Sequence, residues 1–130
     1  MQDLKFTTAE DYMNENSQFA KDMDYFDGIA SKNFFNTRWS IYSDDETFGF
    51  TRMSDKSPFS AGTVIRNRCE AWGYDHSAVV GGNGSWVDVW AACNEAILNA
   101  TDSDGNHDHH IFIEGFEKLE DGTIGVVTGS

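Results

Sequence analysis

The residues best equipped for chemistry crowd between positions 102 and 114: Asp102, Asp104, His107, Asp108, His109, His110 and Glu114. His107 and His109 alternate, so on a strand both imidazoles would stand on one side, which is half of a tetrahedral metal site. With Asp108 and His110 they form the candidate ligand set for a divalent ion. His76, Asp75 or Glu114 would have to complete that set from elsewhere in the fold. The Asp-x-Asp-Gly-Asn run also invites a calcium reading. Counting from Asp102, however, puts His107 where a calcium loop needs glycine and Ile113 where it needs a bidentate glutamate. A solvated loop entering an edge strand explains the same residues, and no resident cofactor is expected.

Other groups fall short of a reaction. The loop Gly81-Gly82-Asn83-Gly84-Ser85 precedes an expected helix and can present backbone N–H groups to an anion, but it lacks the lysine of a phosphate-binding loop. A tight turn accounts for its glycines equally well. Arg38, Arg52, Arg66 and Arg68 would recognise an anionic ligand if they converged. Neither Cys69 nor Cys93 has neighbours that would make a thiolate, and no nucleophile elbow occurs. A ligand pocket is the competing arrangement, with Trp86, Trp90 and Phe116 as walls and Glu114, His109 or His110 as polar groups.

These residues need elements to position them. Ser85–Ala100 reads as the central helix, because Trp86, Val89, Trp90, Cys93, Ile97 and Ala100 recur at helical spacing. Ser85 and Asp88 form a capping box at its start. A first helix is expected over residues 8–26, stopped by Gly28. A hairpin is expected over 34–53, turning at Asp44-Asp45-Glu46-Thr47. Ser57-Pro58 would open a further helix, with Ala61, Ile65, Cys69 and Trp72 on one face and Arg66 paired to Glu70. Its β-branched Thr63-Val64-Ile65 run would also suit a strand. A short strand at His76–Val80 precedes the central helix. A closing hairpin, His109–Leu119 with Thr123–Thr128, turns at Asp121-Gly122 in a two-residue type I′ turn that pairs Leu119 with Ile124. The order predicts one two-layer α+β domain over residues 1–130: an antiparallel or mixed sheet of two hairpins and a short strand, packed by about three helices.

Charge bounds the partners. The chain of 130 residues has 22 acidic and 9 basic residues, a formal charge of −13. Such a field repels nucleic-acid phosphate and anionic lipid. It suits plain solubility, cation binding, or a surface that docks a basic protein and competes for that protein's nucleic-acid site. Asp22, Asp24 and Asp27, or Asp44, Asp45 and Glu46, are the candidate contact acids. No apolar run is long enough to span a membrane, and the N-terminus has no basic region followed by an apolar one, so a cytoplasmic setting with reduced thiols is expected. Phe112, Phe116 and Val127 fall opposite Ile111 and Ile113 on the last hairpin, and a homodimer would cover them. The function expected from all this is a small, acidic, non-catalytic binding or regulatory protein, with a small-molecule-binding domain or enzyme as the alternative.

Overall fold

Burial alternates residue by residue along Val64–Cys69: Ile65 and Asn67 are buried, while Arg66 and Arg68 stay partly exposed on the other side. That is the signature of a strand, and it corrects the helix expected over 57–72. The stripe of Ala61, Ile65 and Cys69 has a step of four, which suits a helix but is also an even number and so fits a strand. With both periods satisfied, β-branched Thr63, Val64 and Ile65 decide for the extended form. The Arg66–Glu70 pair consequently does not form across a helical turn.

The computed structural model describes residues 3–4, 7–8, 19–42, 53–107 and 109–129. In chain order its elements are β1 (Asp3–Leu4), β2 (Thr7–Thr8), α1 (Phe19–Asn33), β3 (Arg38–Trp39), β4 (Ile41–Tyr42), β5 (Val64–Cys69), β6 (Tyr74–Val79), α2 (Trp86–Leu98), β7 (Phe112–Lys118) and β8 (Ile124–Gly129). One mixed sheet runs β1-β7-β8-β5-β6, and β3 joins β7 in parallel beside β1. The fold is α+β, with two described helices rather than three packed on the sheet.

The short strand expected near His76 is β6, antiparallel to β5. Of the hairpin expected over 34–53, the first strand falls on β3 and β4: β3 pairs with β7, and β4 pairs antiparallel with β2. Its turn and second strand lie outside the described residues. Thr8, where the first helix was expected to begin, belongs with Thr7 to β2. Within the described residues α1 runs through Gly28 to Asn33.

The closing hairpin is present with a different turn. Leu119 N–H donates to Thr123 C=O at 2.9 Å, Gly122 N–H donates to Leu119 C=O at 3.1 Å, and Ile124 pairs with Lys118. Of the turn residues only Gly122 has a positive φ, +88°, whereas a type I′ turn needs one at Asp121 as well. A three-residue loop with its glycine in the left-handed region results. Further along, the register steps from Ile113↔Thr128 to Gly115↔Val127, leaving Glu114 as the extra residue of a bulge. The bulge resets the alternation, so Ile113 and Phe116 both face the core.

Ser85 caps α2 as expected, with the reciprocal Asp88 bond. The helix lays Val89, Cys93, Ala96 and Ile97 against β5 and β6. At its first turns a ring cluster forms: Trp39 lies 5.8 Å from Trp86, 5.6 Å from Trp90 and 6.2 Å from Phe116, and Phe59 lies 5.1 Å from Phe116. Each ring removes about 150–250 Å² from water, contributing about 4–6 kcal/mol before entropy is charged against it.

Polar groups register this cluster. Buried Trp90 Nε1–H donates to Thr37 Oγ1 at 3.0 Å, and the Thr37 hydroxyl donates to Asn94 Oδ1 at 2.9 Å. The same Asn94 oxygen accepts the backbone N–H groups of Asn36 and Thr37. Thr37→Val keeps the shape but leaves a buried indole N–H without its acceptor. It should destabilise the chain by about 1–3 kcal/mol, read as a lower urea midpoint at unchanged slope.

Candidate functional site

Trp86, Trp90 and Phe116 are 2%, 1% and 1% exposed and pack on other rings. They fill the core rather than line a pocket. Glu114 lies on the other face of the sheet, its carboxylate over Gly129, where a Cβ would come within 2.6 Å of it. The histidines also separate. The His107 ring nitrogen lies 3.1 Å from Leu98 C=O at the end of α2, His109 is exposed, and His110 lines a recess beside Trp72. Asp108 lies outside the described residues. Among the described residues no three His, Cys, Asp or Glu side chains gather to hold a metal ion. Asp102 accepts the N–H groups of Asp104 and Asn106 within its own loop, and the hydrogen bond from Asn106 leads in holding its carboxyl below the usual range.

The glycine loop before α2 has an anion, and it is the protein's own. Asp88 Oδ2 accepts from Asn83 N–H at 3.2 Å and Ser85 N–H at 3.1 Å. A Cβ on Gly82 would meet this carboxylate at 2.5 Å, which explains that glycine. Both cysteines are free. Cys93 is fully buried, and burial pushes its thiol well above the ordinary range; Cys69 lies on β5, not on a helix, and is partly exposed.

Two surfaces remain. The first is the sheet face opposite α2, formed by Arg66, Arg68, Glu117, Gly125 and Val127 with the β7–β8 turn. Arg66 donates two bonds to Asp75, at 2.7 and 2.6 Å, and one to Asp121 at 2.7 Å. Arg68 donates to both oxygens of Glu120, at 2.9 and 3.1 Å. The arginines therefore fasten the turn to β5 and β6. Hydrogen bonds from Arg66 hold the Asp75 carboxyl below the usual range, and those from Arg68 do the same for Glu120. For Asp121 the bonds from Thr123 lead and Arg66 adds to them. Glu70 and Glu117 share a recess of about 320 Å³ with the arginines. Phe112 and Val127 remain on this face, without the Phe116 that a homodimer there was expected to cover.

The second surface is the end of α1. Phe35 N–H donates to Ala30 C=O at 2.9 Å and Phe34 N–H to Ser31 C=O at 3.4 Å, the bond pair of a Schellman cap. Phe34 holds the left-handed position, φ 59°, that glycine usually fills, and its ring is 87% exposed. Phe34 itself lines an open recess of about 810 Å³, together with Asp27, Ala30, Phe35, Arg38 and Ile111. Asp24 and Asp27 are exposed on α1; Asp22 also lies in α1, and Asp44, Asp45 and Glu46 fall outside the described residues. Sequence reasoning passed over Phe34. Its only sequence signal is an aromatic residue where a helix end calls for glycine or asparagine.

No protein-family model, no curated protein and no solved structure matches the chain. The geometry alone carries the functional argument. No described helix is long and apolar enough to cross a membrane.

Two outcomes follow. Asp75, Glu120 and Asp121 have carboxyl groups depressed in the folded chain, so their contribution is present above the unfolded value of about 4 and fades as pH falls through the folded values. Acid titration followed by circular dichroism should show stability falling below about pH 4, with a shallower fall in Arg66→Gln. Phe34→Gly removes a left-handed side chain and should raise stability by about 1 kcal/mol in urea titration.

Proposed function

We propose that this chain is a non-catalytic binding protein that docks a basic protein partner through the sheet face opposite α2. One observation carries the reading. Glu70, Glu117, Glu120, Asp75 and Asp121 gather around Arg66 and Arg68, and Glu114 lies over Gly129, on a face that no described helix covers. The arginines are already engaged by part of that set, so the surplus charge of the face is negative. Val79 (59% exposed) and Val127 (39%) add apolar area to the same face, as in a wet, charge-steered interface. Glu114 and Glu117 sit over Gly129 and Gly125, so the strands carry them close to the backbone. The chain's overall charge of −13 extends the same attraction to long range.

A second reading is favoured by the sheet itself. β5 and β8 pair only at Ile65↔Ile124 and Arg66↔Gly125, then diverge. A recess of about 290 Å³ opens at their carboxyl ends, where Asn67, Cys69, Tyr74 and His110 meet Trp72, which is 60% exposed. Crevices at the ends of parallel strands suit small planar ligands. A fragment screen followed by the indole resonance of Trp72 tests this reading, and Trp72→Ala should abolish any shift.

Capture of partners by the immobilised chain tests the first reading. Binding should weaken as ionic strength rises past about 0.1 M, where the screening length is about 10 Å. Glu70→Lys with Glu117→Lys should reduce capture by an order of magnitude or more at low salt, mainly through slower association. Capture that ignores both salt and charge reversal would rule out this face.

A further inference from the structure

We propose that the end of α1 is the interface of a homodimer in which Phe34 of each copy seats in the recess of the other. A two-fold interface must be self-complementary, because one patch meets the same patch. This patch holds both halves of such a contact. Phe34 is an aromatic knob, 87% exposed, and it forms one wall of an open recess whose other apolar lining is Ala30, Phe35 and Ile111.

Charge points to a second copy rather than a basic partner. Two chains of −13 repel, so they associate only where their charge is locally balanced. The end of α1 is such a place: Asp24 and Asp27 stand with Lys32 and Arg38 on one short stretch. Asp27 and Arg38 line the same recess. A two-fold arrangement that sets Asp27 of one copy against Arg38 of the other makes that pair twice.

The backbone supports a role for the ring. A left-handed cap position tolerates glycine or asparagine without penalty, yet it carries a bulky side chain directed at solvent. The bonds of Asn94 to Asn36 and Thr37 fix the segment just beyond it, so the knob is held ready before contact. This interface is separate from the acidic sheet face, and the two respond to salt differently. Added salt screens both the repulsion between like-charged copies and the Asp27–Arg38 pairs, so dimerisation should change little while docking of a basic partner weakens.

Sedimentation equilibrium from about 1 µM to about 1 mM tests the proposal. The wild-type chain should dimerise in that range. Phe34→Gly should dimerise at least about ten-fold more weakly while melting no lower than wild type, which separates loss of contact from loss of fold. Asp27→Arg and Arg38→Asp should each weaken the dimer, and the two combined should recover it. A wild-type chain that stays monomeric throughout overturns the proposal. So does a Phe34→Gly chain that dimerises as tightly as wild type.

Discussion

The hydroxyl of Thr37 is the hinge on which both halves of the structure turn. It accepts from the Trp90 indole and donates to Asn94, so one side chain settles two polar groups of α2 in an otherwise apolar interior. Asn94 then fixes the backbone at Asn36 and Thr37, the link between α1 and β3. Apolar packing alone does not choose a register, because Trp, Phe and Ile contacts are non-directional. Directional bonds at this depth do choose one. They set how far α1 overhangs the sheet, where β3 meets β7, and therefore where Phe34 emerges.

The sequence was most legible where one signal stood alone. Ser85 and Asp88 formed the expected capping box because a helix start has a short, local code, and the Asp121-Gly122 hairpin was found for the same reason. Legibility failed where two codes overlapped. Ala61, Ile65 and Cys69 satisfied both helix and strand periods, and only β-branching favoured the strand. It failed again where a single residue altered the phase: with Glu114 counted in the alternation, Phe116 was assigned to the outer face, and the bulge moves it inside. The glycines before α2 suit a tight turn and an anion cradle equally in sequence, which does not show that Asp88 folds back to fill the cradle.

The candidate surfaces were less legible than the fold. Trp86 and Trp90 suggest pocket walls by their size, yet large rings near a helix start are usually core, and these are. Arg66 and Arg68 stand out in sequence as cations in an acidic chain. Their partners Asp75, Glu120 and Asp121 come from other strands and a turn, so tertiary pairing alone reveals them. Their work is to brace the β7–β8 turn against β5, which keeps the remaining acids of that face in place.

The bulge at Glu114 makes β7 a strand with a frame, in the sense that a coding sequence has one. Residues before it are read inward on one parity and residues after it on the other. Deleting Glu114 would close the bulge into a regular ladder, because Ile113 and Gly115 already pair with consecutive residues Thr128 and Val127. Phe116 would stay inward and Glu117 outward, so the frame survives the loss of the one residue that stands outside it. Related chains could therefore lack a residue here and still bury the same rings.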